Sequence, residues 1–246
     1  MRLNKALLTL SAVFFLAGCE KQPRIENTAI PIHNCTKPQD RHRWDWWTER
    51  HESFNKIAKK GGIDLVFLGD SIMQQWENEG KQAWEKYYGR RNAANFGMSG
   101  DCTQHLIWRI DNGNLDGIKP RLIVLMIGTN NCGYDSPRQI ADGVTAIVQR
   151  LRAKLPKTKI LLMAIFPMGQ EPVNPKRTRA RAANAIFRKI ADGKMIHYLD
   201  TGDKFLDKSG AVSQELMPDF VHPTPRGYEM WAEAIEDKVA ELMGEK

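Results

Sequence analysis

Five short apolar runs recur along the 246-residue chain: DLVFLG (64–69), AANFG (93–97), RLIVLMIG (121–128), KILLMAIF (159–166) and MIHYL (195–199). Each has strand length and little alternation, the pattern of strands buried on both faces. Helical patterns lie between and around them. Trp44, Trp47, His51, Phe54, Ile57 and Ala58 recur at three- and four-residue steps until Gly61 and Gly62 stop the pattern. Ile140, Val144, Ile147, Val148, Leu151 and Leu155 share a second face. There Ser136 is placed as N-cap, Pro137 in the first turn and Gln139 as the partner that reaches back. A further helix is expected over 176–191, and a last one from Pro225 to Leu242 with Tyr228, Trp231, Ile235 and Val239 inward. Alternating strands and helices with short connections predict a five-stranded parallel sheet covered on both sides, an α/β/α sandwich in three layers.

Ligands of such sheets bind beyond the carboxyl ends of the strands. The first three runs end in polar, glycine-bearing stretches: GDS (69–71), GMSGD (97–101) and GTNN (128–131). PDFVHP (218–223) precedes the last helix. Ser71 is the candidate nucleophile at a strand-to-helix junction, although Asp70 or Ser71 as a helix cap explains Gly-Asp-Ser equally well. The G-x-S-x-G elbow is absent, since positions 69–73 read Gly-Asp-Ser-Ile-Met. Asp219 and His222 stand three residues apart, a spacing that lets a carboxylate hold one ring nitrogen while the other faces Ser71. As oxyanion donors the candidates are the Ser71 and Gly100 backbone N–H groups and the Asn130 amide. Singly, each has a plain explanation as a turn residue. Together they specify acyl transfer.

Ser71, Gly100, Asn130 and His222, within FLGDS, NFGMSGD, IGTNN and DFVHP, resemble the signature blocks of the SGNH (GDSL) hydrolase superfamily. The stretches NFGMSGDCTQHLIWRIDNGNLDG, VLMIGTNN and FPMGQEPVNP are similar to the catalytic subunits of platelet-activating factor acetylhydrolase Ib and their bacterial relatives. The resemblance spans about 44–243. It implies a flavodoxin-like sandwich and an ester hydrolase without metal or organic cofactor. It also implies that Ile72 and Val221, flanking nucleophile and base, line a small acyl pocket suited to acetyl. Asp70 and Asp101 are expected as supports. Relatives often carry arginine at the position of Met168, so a polar contact is expected to be missing there. A non-catalytic envelope protein would have lost one of the triad or oxyanion residues, and none is lost.

The N-terminus adds a location. Arg2 and Lys5 precede an apolar run from Ala6 to Leu16, and LAGC ends at Cys19, which resembles a bacterial lipobox. The expected organisation is a lipoprotein signal peptide at 1–18, a tether and N-terminal arm at 19–43, and the hydrolase domain at 44–246. Cys19 would carry lipid and hold the protein at the cell envelope, facing the periplasm. The net charge of +7 becomes +5 once Arg2 and Lys5 leave, which suits anionic surfaces or acidic glycans. No nucleic-acid partner is expected, because the chain has no recognised motif and no dense basic run. Lys176, Arg177, Arg179, Arg181, Arg188 and Lys189 read as a solvated helix face. The expected partners are a small-molecule, glycan or lipid ester as substrate and the membrane through Cys19; a homodimer is left open. His33, Cys35, His42 and His51 are too irregularly spaced for a metal site. Cys102 and Cys132 each stand two residues beyond an oxyanion donor, so they are a candidate disulfide in an oxidising compartment.

Overall fold

The computed structural model describes residues 29–245. Cys19 and the signal segment lie outside them. The elements are α1 (Asp45–Lys60), β1 (Leu65–Gly69), α2 (Ser71–Gln74), α3 (Lys81–Tyr87), β2 (Ala93–Gly97), α4 (Thr103–Asp111), β3 (Leu122–Met126), α5 (Pro137–Lys154), β4 (Lys159–Met163), α6 (Pro175–Phe187), β5 (Ile196–Leu199) and α7 (Pro225–Met243). All pairings are parallel and the strand order is β2-β1-β3-β4-β5. That order reverses between β1 and β3, and the crevice of a doubly wound sheet opens at such a point.

Alternate strand residues feed two core layers. Val66, Leu68, Ile123, Leu125, Ile160 and Leu162 pack with α1, α4, α5 and α6. Leu65, Phe67, Leu122, Val124, Leu161 and Met163 pack with α3 and α7 on the other face. The three-layer parallel sandwich is therefore as expected.

The predicted caps are present: Ser136 and Gln139 form a reciprocal capping box at α5, and α1 stops at Gly61 with φ of 70°. The runs 121–128 and 159–166 extend past their strands. Ile127, Ala164, Ile165 and Phe166 are buried outside the ladder, so apolarity there follows burial rather than sheet pairing. The helix over 103–111 has no counterpart in the apolar pattern. It buries Thr103, Gln104, His105 and Arg109 along with its apolar residues, so its buried face is of mixed polarity. Residues 33–41 lie against the domain: His33 faces Asp142, Asn34 reaches Asp135, and Arg41 donates to the Ser99 carbonyl.

Candidate active site

Gly69 ends β1 where a side chain has no room, because a Cβ there would stand 2.0 Å from the Met126 carbonyl oxygen. The chain then turns into α2. Asp70 caps it, its Oδ1 accepting the Ile72 N–H at 3.1 Å. The cap reading of Gly-Asp-Ser therefore falls on Asp70, and Ser71 opens the helix. The Tyr228 hydroxyl of α7 donates to the Ile72 carbonyl at 2.7 Å and fixes α2 from the opposite side.

His222 comes from the turn before α7. Asp219 Oδ1 accepts the N–H groups of Val221 and His222, at 3.0 and 2.7 Å, so the carboxylate folds its own turn. Phe220 stands in the left-handed region at φ 60°, an uncommon conformation for a bulky residue. Asp219 Oδ2 lies 2.6 Å from His222 Nδ1, and His222 Nε2 lies 2.8 Å from Ser71 Oγ. With the Nδ1 proton directed at Asp219, Nε2 is left as acceptor for the serine hydroxyl. A hydroxyl, an imidazole and a carboxylate thus form one hydrogen-bonded chain across 151 residues of sequence.

The sequence profile of the GDSL-like lipase/acylhydrolase family matches residues 67–230, a span that holds every part of this chain of contacts. The protein belongs to that family. The alpha1 subunit of Homo sapiens platelet-activating factor acetylhydrolase IB is 32% identical over 216 residues, covering 87% of this chain and 92% of that subunit. Two solved structures share the fold. One is a GDSL-like lipase from Bacteroides thetaiotaomicron (TM-score 0.64, 19% identity, 78% of this chain and 97% of that one). The other is a catalytic mutant of an acetylxylan esterase from Geobacillus stearothermophilus (0.59, 20%, 76% and 96%). The protein is a carboxylic ester hydrolase of the SGNH/GDSL family, related to the catalytic subunits of the acetylhydrolase.

In this GDSL hydrolase the loop carrying Gly100 is held from three sides. The Gln74 side chain of α2 accepts the Ser99 N–H at 2.8 Å. The Asn130 amide donates to the Asp101 carbonyl at 2.9 Å, leaving a second N–H to offer. Asp101 is fully buried and accepts from Trp47 Nε1 and Arg109 Nε, both at 2.8 Å, and from Arg41 Nη1 at 3.3 Å. Among the described residues, neither the Ser71 nor the Gly100 N–H is spent on an acceptor. Gly100 has φ of 72°, which glycine adopts without cost.

Arg109 was not marked by the sequence reading, yet it joins the strand ends. Its guanidinium donates to the Gly69 and Phe96 carbonyls, to Asn114 and to Asp101. Asn131 was likewise passed over in favour of its neighbour. It accepts the Thr103 N–H and donates to Gln104 and Asp135, and so clamps α4.

Electrostatics separates the carboxyl groups. Partial burial works to raise Asp219, but the hydrogen bonds from the His222 ring and from the N–H groups of His222 and Val221 outweigh it. Asp219 is held below the usual carboxylate range. Asp70 is pushed up to about 7, chiefly by complete burial, against the opposing pull of the Ile72 N–H, Thr129 and His222. Its Oδ2 and the Thr129 Oγ1 have no partner other than each other.

The candidate disulfide is not formed. Cys35, Cys102 and Cys132 are all free. The Cys132 thiol instead donates to the Gly128 carbonyl at 3.3 Å, and Cys102 sits at the head of α4 with its N–H on His105 Nδ1. Burial pushes both thiols up to about 12, so they are protonated and inert at neutral pH. His33, His42 and His51 have separate partners in Asp142, Thr48 and Asn114. Among the described residues no group of three or more His, Cys, Asp or Glu side chains is placed to hold a metal ion.

A cleft of ≈ 580 Å³ opens beside the triad, with Thr129, Asn130, Met168, Asp219 and Val221 in its wall. Met168 contributes an apolar side chain to that wall. Val221 lies in the wall of this cleft, whereas Ile72 is 1% exposed and packs into the core layer of α3 and α7. The basic residues of 176–189 do not form one solvated face. Lys176 and Arg179 line this cleft, while Arg177, Arg181 and Arg188 line a separate cavity of ≈ 280 Å³.

Proposed function

We propose that this hydrolase removes short acyl groups, acetyl foremost, from carbohydrate or small-molecule esters. Ser71 is the nucleophile, His222 moves its proton and Asp219 orients His222. As Oγ attacks the acyl carbonyl, its proton passes to Nε2, and the imidazolium is stabilised by the Asp219 carboxylate. The developing oxyanion is met by the Ser71 and Gly100 N–H groups and the free Asn130 amide N–H. His222 then protonates the leaving alkoxide. Water enters, gives a proton to His222 and attacks the acyl-enzyme; His222 returns that proton to Ser71 Oγ as the acid leaves.

The observation that carries the reading is the unbroken Ser71–His222–Asp219 hydrogen-bond chain, with spare donors beside it. The acetyl preference draws support from two relatives, an acetylhydrolase and an acetylxylan esterase. The platelet-activating factor acetylhydrolase subunits favour a second reading, an acetyl-phospholipid acetylhydrolase; a lysophospholipase is the further alternative. Initial rates on p-nitrophenyl esters of two to eight carbons, on acetylated xylan oligomers and on an acetyl phospholipid separate these. The expected profile falls steeply beyond four carbons and favours the glycan, and Ser71→Ala abolishes it. A flat chain-length profile would remove the short-acyl assignment.

The reading extends to location: cleavage before Cys19 and lipid on its sulfur would anchor the enzyme at the bacterial envelope, facing the periplasm. Support comes from the LAGC stretch and the preceding apolar run. Radiolabelled palmitate should enter the wild-type protein and not Cys19→Ala; equal labelling would exclude the anchor.

A further inference from the structure

The cleft beside the triad is much larger than an acetyl group, and Lys176 and Arg179 put positive charge in its wall. Lys176 and Arg179 project from one side of α6, three residues apart. Both line the cleft together with Asn130 and Asp219. Arg179 Nη1 donates to the Cys132 and Gly133 carbonyls at 2.9 and 3.2 Å, which fixes its guanidinium next to the Asn130 turn and leaves its other N–H groups unspent. The Lys176 side chain passes close to Gly133, its Cε 4.0 Å from where a Gly133 Cβ would stand. Among the described residues its ammonium has no hydrogen-bond or ion-pair partner.

Charge balance singles the place out. The one carboxylate in the cleft wall is Asp219, and both its oxygens are already taken by His222 and the Val221 N–H. Among the described residues, two cations therefore share the cleft wall with one carboxylate whose oxygens are occupied, and the cavity keeps a net positive charge. The N-terminal end of α6 also opens here, with Asn174 and Pro175 in the wall. Its dipole has the same sign, although its first N–H groups are spent on Asn174 Oδ1. The exposed Tyr134 ring stands at the mouth and offers an apolar face beside the charges.

We propose that the cleft selects esters whose alcohol portion carries a negative charge, a phosphate or a carboxylate, held by Lys176 and Arg179. The proposal rests on the short-acyl reading, because a short acyl group leaves the large basic part of the cleft to the alcohol. Arg179 supplies a planar fork and Lys176 a mobile point charge. The two together suit an oxyanion group that is attached several bonds from the scissile ester.

The test holds the acyl group constant and varies only the charge. Methyl 4-acetoxyphenylacetate, 4-acetoxyphenylacetate and 4-acetoxybenzyl phosphate are compared at low and at high salt. The expected ratio of kcat/KM, charged over neutral, is about tenfold in the wild type, of the size of one charge-assisted hydrogen bond. It shrinks with salt and collapses toward one in Lys176→Gln. The charged ester with the larger advantage identifies carboxylate or phosphate. An unchanged ratio in Lys176→Gln overturns the proposal. A turnover-free measurement stands beside it: calorimetric binding of 4-hydroxyphenylacetate and 4-hydroxybenzyl phosphate to Ser71→Ala. Binding should weaken at least about fivefold when Lys176→Gln is added, and equal affinities count against the proposal. Loss of the acetyl preference would show in the chain-length series alone, so the two readings fail separately.

Discussion

Asp70 stands one residue before the proposed nucleophile, and complete burial opposes its charge. Its carboxyl is pushed up to about 7, whereas in the unfolded chain it returns to the ordinary value near 3.8. A carboxyl that holds its proton more tightly when folded contributes stability at low pH and loses it as pH rises through that window. Below about pH 4 both states are protonated and Asp70 behaves as a neutral cap. Between about pH 4 and 7 the wild type pays a growing penalty, on the order of 4 kcal/mol when complete. Asp70→Asn stays neutral and keeps an oxygen for the Ile72 N–H. Its stability relative to wild type should therefore rise across pH 4 to 7 and level off above, as read by urea unfolding at each pH. A pH-independent difference would mean that Asp70 does not titrate in this range. None of this is legible in Gly-Asp-Ser, because burial is a property of what packs around a residue. The proposed reacting groups are legible for the opposite reason: acyl transfer admits few residue types, and the fold restricts them to strand ends. Lys176 and Arg179 are hidden because the spacing of α6 shows only charge. Which charges face the cleft depends on Gly133, more than forty residues upstream.

At the scale of elements, the position of Ser71 depends on how closely α2 lies against the sheet. A Cβ on Gly97 of β2 would stand 2.1 Å from the Gln74 nitrogen and 2.4 Å from the Met73 carbonyl carbon. Both are backbone atoms of α2, so no rotamer change relieves the clash. Asn95 adds a tie from the same strand, donating to the Met73 carbonyl at 2.9 Å. Gly97→Ala must push α2 off β2, at a cost of roughly 2 kcal/mol or more. For a domain of this size that corresponds to a fall in Tm of about 4–8 °C. Activity should drop further than folding does, because α2 begins at Ser71; differential scanning fluorimetry alongside steady-state rates separates the two. Unaltered rates in a destabilised variant would show that α2 and Ser71 move independently. The strands are legible because parallel strands buried on both faces leave continuous apolar runs. The helix α4 is not, because Arg109 and Gln104 are buried within it by polar partners rather than by apolar neighbours.

Across the whole molecule, the segment before α1 reaches the site from outside the region that matches the family, 67–230. Two of its contacts bear on the loop and helix that flank the site. The Cys35 carbonyl accepts the Thr103 hydroxyl at 2.8 Å at the head of α4. Arg41 Nη1 bonds the Ser99 carbonyl at 2.8 Å and lies 3.0 Å from where a Gly100 Cβ would stand. It also stacks over Trp46, 5.6 Å from the ring centroid. The loop that carries Gly100 is therefore pressed between Arg109 within the fold and Arg41 outside it, with Asp101 bonded to both. Removing Arg109 would strand a buried carboxylate and threaten folding itself. Arg41 is partly exposed, and Asp101 keeps Trp47 and Arg109 when it is lost, so Arg41→Ala tests the clamp without that hazard. The expected outcome is a Tm within a few degrees of wild type, since partly exposed pairs contribute about 1 kcal/mol or less. The kcat on p-nitrophenyl acetate should be reduced about tenfold with KM little changed, because a loosened Gly100 N–H weakens the transition state more than the ground state. Arg41→Lys, which retains one donor for the Ser99 carbonyl, should recover part of that loss. A normal kcat in Arg41→Ala would place the whole restraint of the loop on Trp47, Arg109 and Asn130.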